Sequence, residues 1–185
     1  MEQGKLIEVY NAKKGDEDLK IIFRYPSETD AEPLMEFVNS LVRTKAMIDL
    51  NRLQTLEQEE DHLSSLLVDM INRNSVHVIV ECDSKIVGKG NVRKESGNSS
   101  HVGALGIAII RGFRDIGIGK KLMEILEREA KDVLETEIII LTVHEDNERA
   151  ISLYKKFNYA EAGRIPDAIK RSDKTVDKII MVKKL

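Results

Sequence analysis

The stretch from Ile109 to Lys120, which reads IIRGFRDIGIGK, most constrains what this chain can become. It passes from an apolar strand through a glycine-rich bend into a long amphipathic segment. Gly117 and Gly119 carry no Cβ, so the backbone there is free to take positive φ and to come close to a ligand. A helix that starts at this bend turns its unpaired N–H groups and its positive dipole end toward the same point. The local structure expected is a cradle for an anion, with phosphate as the natural occupant.

Two common glycine motifs do not account for this stretch. The dinucleotide fingerprint needs G-x-G-x-x-G, and Gly112, Gly117 and Gly119 are not spaced that way. A Walker loop needs lysine after its second glycine, and Ile118 stands there. What is present is R-x-x-G-x-G, running from Arg114 to Gly119. Further along, Asn147 to Tyr159 reads NERAISLYKKFNY. In order and spacing these two segments resemble the R-x-x-G-x-G and N-x-x-A-x-x-L-Y-x-K-x-G-F signatures of the GNAT superfamily of acyl-CoA-dependent N-acyltransferases. Asn158 replaces the usual glycine.

At 185 residues the chain is long enough for one good core and short for two, so a single domain spanning 1–185 is expected. Hydrophobic residues make up 42% and charged residues 33%, which places it among globular proteins. A net charge of −3 offers no general attraction to nucleic acid or to an anionic membrane. The single Cys82 cannot form an internal disulfide, and Met1 to Lys5 show no apolar signal segment, so a cytoplasmic location is expected. Apolar runs such as Ile138 to Leu141 fall far short of the roughly 20 residues that span a bilayer. His62, His77, His101 and His144 match no metal-ligand spacing, and no metal is expected.

Periodicity supplies the rest of the fold. Leu6 to Tyr10 and Leu19 to Tyr25 read as a hairpin around Lys13 to Glu17. A first helix follows a Thr29/Asp30 cap, with Leu34, Phe37, Val38, Leu41 and Val42 on one face. Arg43 to Gln54 has no period and reads as a connector that could border a substrate site. Thr55 and Gln58 form a capping box for a second helix, with Leu56, Leu63, Leu66, Leu67, Met70 and Ile71 sharing one face and His62 facing solvent. Val76 to Cys82 and Lys85 to Val92 form a second hairpin, and Lys94 to Ser100 an exposed loop.

In the strand from His101 to Ile109, the alternating faces differ in size and not in polarity. Leu105, Ile107 and Ile109 mark a core side, while Ala104, Gly106 and Ala108 mark a side that something else approaches closely. A third helix carries Ile118, Leu122, Ile125, Leu126, Ala130 and Val133 on its buried stripe. Ile138 to Val143 reads as a strand buried on both faces, and Asp146 or Asn147 caps a fourth helix. Tyr159 to Ile165 and Val176 to Val182 are final strands joined by an exposed loop, Pro166 to Thr175, that includes Lys170, Arg171, Asp173 and Lys174.

The resemblance implies an α/β (α+β) domain with a mixed, mostly antiparallel, splayed sheet and about four helices. It implies acetyl-CoA as acyl donor, entering where the sheet opens, and a primary amine as acceptor: a protein N-terminus, a lysine or a small-molecule amine. The backbones of Ile107 and Ile109 would hold the pantetheine. Arg114, Asp115, Ile116, Gly117, Ile118, Gly119 and Lys120 would surround the pyrophosphate, Asn147 would hold the cofactor arm, and Tyr154 would stand by the thioester sulfur as general acid. Many relatives carry a glutamate on the strand before the cradle, where this chain has Ala104, Gly106 and Ala108. The proton acceptor is therefore open, with His101, His144, Glu81, Glu145 or a water chain as candidates. A noncatalytic acyl-CoA-binding or sensing module is the alternative reading. The acceptor's identity and the oligomeric state are open as well.

Overall fold

A single eight-stranded sheet runs through the computed structural model, which describes residues 1–48, 50–171 and 174–185. The strands are β1 (Leu6–Lys14), β2 (Glu17–Arg24), β3 (Ser75–Cys82), β4 (Lys85–Lys94), β5 (Val102–Ile109), β6 (Ile138–His144), β7 (Ala160–Lys170) and β8 (Thr175–Lys184). The helices are α1 (Ala31–Arg43), α2 (Leu56–Ile71), α3 (Ile118–Asp132) and α4 (Glu148–Lys156). Strand order is β1-β2-β3-β4-β5-β6-β8-β7, and every pairing is antiparallel except β5 with β6. This is the mixed, mostly antiparallel α/β sheet with four helices that the family resemblance implies.

The first hairpin is longer than its pattern suggests, because β1 reaches Lys14 and β2 starts at Glu17, leaving only Gly15 and Asp16 in the turn. Gly15 takes the positive φ of 62° that this tight turn demands. The connection to α1 is pinned by Asp30. Its carboxylate takes two 2.7 Å hydrogen bonds from Arg24 and another of 2.7 Å from the Ser27 N–H.

Helix α2 starts on the expected Thr55–Gln58 capping box. It buries Leu63, Leu66, Leu67 and Met70, but Leu56 and Ile71 are 41% and 67% exposed. Ile71 lies about 100° round the helix from Met70, and Leu56 is the helix's first residue. The place the pattern gave to Leu56 is taken by Glu59, which is buried. The connector ahead of α2 is held at its far end by Asn39, whose amide bonds both the N–H and the carbonyl of Gln54 at 2.8 and 3.0 Å. Asp49, within that connector, lies outside the described residues.

The final hairpin corrects the expected loop from Pro166 to Thr175. Strand β7 continues through Pro166 to Lys170, with an irregularity between Ile165 and Ile169 where Asp167 has a φ of 53°. Proline is tolerated because β7 is the sheet's last strand and one of its edges needs no partner. Asp167 accepts a bond from the Thr175 hydroxyl, and the Asp177 carboxylate accepts one from the Asp167 N–H. Asp173, named above as part of the loop, lies outside the described residues.

Helix α3 packs over β3, β4 and β5. Its stripe of Ile118, Leu122, Ile125, Leu126 and Ala130 is buried as expected, together with Met123. Gly90 of β4 has no side chain because one would meet Leu126, Leu122 and Ile107. Helix α2 lies on the other face, where its Asp69 pairs with Arg93 of β4. No described helix is long and apolar enough to cross a membrane.

Candidate active site: an anion cradle beside an open strand pair

Strands β5 and β6 pair through only three residues each, Val102 to Ala104 with Ile138 to Ile140. Beyond Ala104 both strands continue without pairing to each other, so the sheet opens into a wedge at its centre. The hydrogen-bond register shows which groups line it. Val87 accepts from the Ile110 N–H at 3.0 Å and Val102 accepts from the Glu95 N–H at 2.8 Å, so the even-numbered residues of β5 bond to β4. The N–H and C=O groups of Leu105, Ile107 and Ile109 therefore point into the wedge. Ile107 and Ile109 thus turn their backbones away from β4, and the Ile109 carbonyl accepts a 2.8 Å bond from Arg114 Nε.

At the wedge's mouth the chain makes a short 3-10 turn at Arg111 to Phe113 and enters α3. Gly117 is the N-cap of that helix, with φ 88° and ψ −13°, a left-handed conformation that favours glycine. Gly119, by contrast, lies within α3 at ordinary φ. A Cβ there would face Leu153 and Ile109 at 3.4 and 3.5 Å, ordinary contact distances, so the protein's own atoms leave room for one. Lys121 is the first residue to close a helical turn, onto the Gly117 carbonyl at 3.1 Å. Among the described residues, none of the six N–H groups from Asp115 to Lys120 donates to a protein acceptor.

Positive charge gathers around these donors. Arg114 is destabilised as a cation first by burial and then by Arg149 and Arg111, with only Asp115 opposing. Asp115, at a φ of 64°, is in turn bound to Arg149 at 2.8 Å. Lys120 is exposed, with Glu124 at 3.9 Å. The cradle is thus a bend of free N–H groups at a helix N-terminus inside a cluster of arginines, an arrangement whose electrostatics await an anion.

On the far side of the wedge, Asn147 caps α4 by accepting from the Ala150 N–H at 3.3 Å. Tyr154, two turns on, is 6% exposed, and burial pushes its phenol up to about 12. Its ring lies 6.0 Å from that of Tyr159, and its hydroxyl has no hydrogen-bond partner among the described residues. The phenol thus keeps its proton at neutral pH.

The four candidate side-chain proton acceptors separate cleanly. His101 precedes β5 at the closed end of the wedge, where its carbonyl bonds Glu137 and Ile138. Glu81 is bound to Arg24 at 3.0 Å, away from β5 and β6. His144 and Glu145 do lie at the open end of β6, but Arg171 donates to His144 Nδ1 at 2.9 Å and Arg164 approaches Glu145 at 3.6 Å.

Residues that the pattern reading passed over complete the surroundings. Tyr10 reaches from β1 to bond the Ile116 carbonyl at 3.3 Å, over Gly117. On the sheet face that carries Ala104, Gly106 and Ala108 stand Lys89 and Asn91 of β4, with His77 of β3 opposite Asn91 and Glu59 of α2 near enough for its charge to act on Lys89. The signal for them was present: Lys89, Asn91 and Arg93 alternate with Gly88, Gly90 and Val92, which marks one polar face on a central strand.

A strand pair that opens beside a helix N-terminus lined with free N–H groups defines an α/β protein built to hold a long ligand with an anionic segment. The acetyltransferase (GNAT) family matches residues 44–159, and the chain belongs to that family, whose members are acetyl-CoA-dependent N-acetyltransferases. An N-alpha-acetyltransferase of Sulfolobus acidocaldarius is 27% identical over 137 residues, which cover 67% of this chain and 82% of that protein. A GNAT-family acetyltransferase from Streptococcus pneumoniae superposes with a TM-score of 0.80 at 24% identity, covering 89% of this chain and 99% of that one. RimL, a ribosomal L7/L12 alpha-N-protein acetyltransferase solved in complex with coenzyme A, gives a TM-score of 0.80 at 12% identity and covers 98% of both chains.

Proposed function

We propose that this protein transfers the acetyl group of acetyl-CoA to a primary amine, with a protein N-terminus as the leading acceptor class. The observation that carries the donor half is the run of six unpartnered N–H groups from Asp115 to Lys120 at the head of α3. The coenzyme A bound to RimL and the N-alpha-acetyltransferase name of the Sulfolobus relative support the reading. One domain spans residues 1–185 in this reading, and the single Cys82, buried and free, suits a reducing cytoplasm.

In the proposed complex, the pyrophosphate of the donor lies on the N–H groups of Asp115, Ile116, Gly117, Ile118, Gly119 and Lys120. Arg114 ties that bend to the Ile109 carbonyl. The pantetheine arm runs along the wedge edge of β5, bonding Ile107 and the Ile109 N–H, and the Asn147 amide holds it from α4. Positioning supplies much of the rate, because a neutral amine attacks a thioester once both are held in line. A wedge-facing N–H near the end of β5 receives the developing oxyanion. The C–N bond forms, the C–S bond breaks, and Tyr154 passes its proton to the leaving sulfur.

Calorimetry with acetyl-CoA, followed by thiol-release assays on N-terminal peptides, lysine peptides and polyamines, tests both halves. Release with N-terminal peptides is the expected result. Tight coenzyme binding with no release from any amine would make the protein a noncatalytic sensor instead.

A further inference from the structure

The proposed reaction needs a group to take the acceptor ammonium's proton, and β5 carries no carboxylate. The structure offers one from an unexpected direction. Glu59, in the first turn of α2, is 3% exposed, and its Oε1 is fully enclosed with no hydrogen-bond partner. Buried carboxylate oxygens are normally satisfied, so this one is an acceptor held without its donor.

Its surroundings are equally unfinished. Lys89 of β4 feels the charge of Glu59, yet no ion pair or hydrogen bond holds its ammonium among the described residues. His77 of β3 encloses Nδ1 without a partner, while its Nε2 meets Ser75 Oγ at 3.1 Å. Burial, Lys89, His62 and Arg93 hold that imidazole down to about 3, so it is neutral at physiological pH. Arg93 is committed to Asp69. Glu59 is therefore the carboxylate of this group that nothing neutralises directly.

The floor beneath these groups is the small-residue face of β5. Lys89 lies opposite Ala108 and Asn91 opposite Gly106, with Asn91 Oδ1 only 3.2 Å from where a Gly106 Cβ would stand. Although β5 is central in the sheet, Ala104, Gly106 and Ala108 are half-exposed, so neither α1 nor α2 seals that face. The wedge opens along the edge of β5 that faces away from β4, beside a group seated on this face.

We infer that Glu59 takes the proton from the acceptor's ammonium in a polar well that it shares with His77, Lys89 and Asn91 over the small-residue face of β5. This rests on the N-acetyltransferase reading given above. The ammonium donates to Glu59 Oε1 and gives up one proton to it. The freed nitrogen lone pair attacks the thioester carbonyl, Tyr154 protonates the departing thiolate, and the second N–H proton, lost as the amide forms, passes through solvent to restore the Tyr154 phenol. Glu59 then returns its proton to solvent, so the sum is ammonium plus thioester to amide, thiol and one proton.

The test is the pH dependence of kcat/KM for Glu59→Gln in the full chain, with a peptide that the wild-type enzyme acetylates. The variant should lose about 10²-fold at pH 7, and the deficit should shrink steadily toward pH 10, where an α-amine, ordinarily near ~8, is already neutral. Acetyl-CoA affinity and melting temperature should stay close to wild type. A deficit constant across pH, or no deficit at pH 7, overturns this inference alone. A wild-type enzyme that turns over no amine overturns it together with the proposed function. If Glu59→Gln does not fold, Glu59→Ala carries the same measurement with the same deciding outcomes.

Discussion

Tyr10 of β1 sets its hydroxyl over Gly117, in the space where any other residue would hold its β-carbon, and bonds the Ile116 carbonyl at 3.3 Å. The first strand of the sheet thereby shapes the head of α3 from more than a hundred residues away. Gly117 is constrained twice, by its φ of 88° and by this tyrosine. Gly117→Ala should cost about 1–2 kcal/mol from the left-handed backbone alone and weaken acetyl-CoA binding at least tenfold as Tyr10 is displaced. Paired thermal melts and calorimetry check it, and unchanged affinity would remove Gly117 from the cradle.

Gly119 should behave differently despite belonging to the same motif. Its backbone is helical and a Cβ would make only ordinary contacts with Leu153 and Ile109. Gly119→Ala should bind acetyl-CoA nearly as wild type does. Gly119→Val should force Leu153 and Ile109 apart and weaken binding severely. If alanine proves as damaging as valine by calorimetry, close backbone approach and not packing sets this position.

Tyr154→Phe keeps the buried ring and removes only the hydroxyl. As general acid, Tyr154 should account for about 10²-fold in kcat, with acetyl-CoA affinity nearly constant. Because burial raises the phenol to about 12, it stays protonated and no alkaline loss of activity below pH 10 should come from it. The folded pKa lies above the unfolded value, so the tyrosine's contribution to stability is complete below pH 10 and fades as pH climbs toward 12. A phenylalanine variant that turns over at the native rate would leave Tyr154 as a packing residue.

Asp30 should set part of the acid limit of the fold. Burial disfavours its carboxylate, but the hydrogen bonds from Arg24 and the Ser27 N–H outweigh that and hold it below its ordinary value. Its stabilising contribution is therefore present above pH 4 and disappears as pH falls through the lowered folded value. Asp30→Asn should cost about 2 kcal/mol at neutral pH by weakening the charged pair with Arg24, which keeps Glu81 as its remaining partner, and it should flatten the acid limb of a denaturation profile. An unchanged acid midpoint would mean that other carboxylates govern it.

The cradle was legible in the sequence because its logic is local. Arg114, Gly117 and Gly119 are neighbours in the chain, and strand, bend and helix follow from short-range patterns of size and polarity. The two-sided character of β5, the caps at Thr55 and Asn147 and the buried stripe of α3 were readable for the same reason. The different backbones of the two glycines were not, since only the fold shows that one is left-handed beneath Tyr10 and the other lies within the helix facing Leu153 at an ordinary distance. The length of β7 escaped because Pro166 reads as a breaker until the strand is known to lie at the sheet's edge. Glu59, His77 and Lys89 sit on three different elements, and a periodic pattern records each only as a polar residue on its own helix or strand. Their shared side of the sheet was decided by the strand order, which turns distant positions into neighbours, and by burial, which leaves Glu59 Oε1 without a donor.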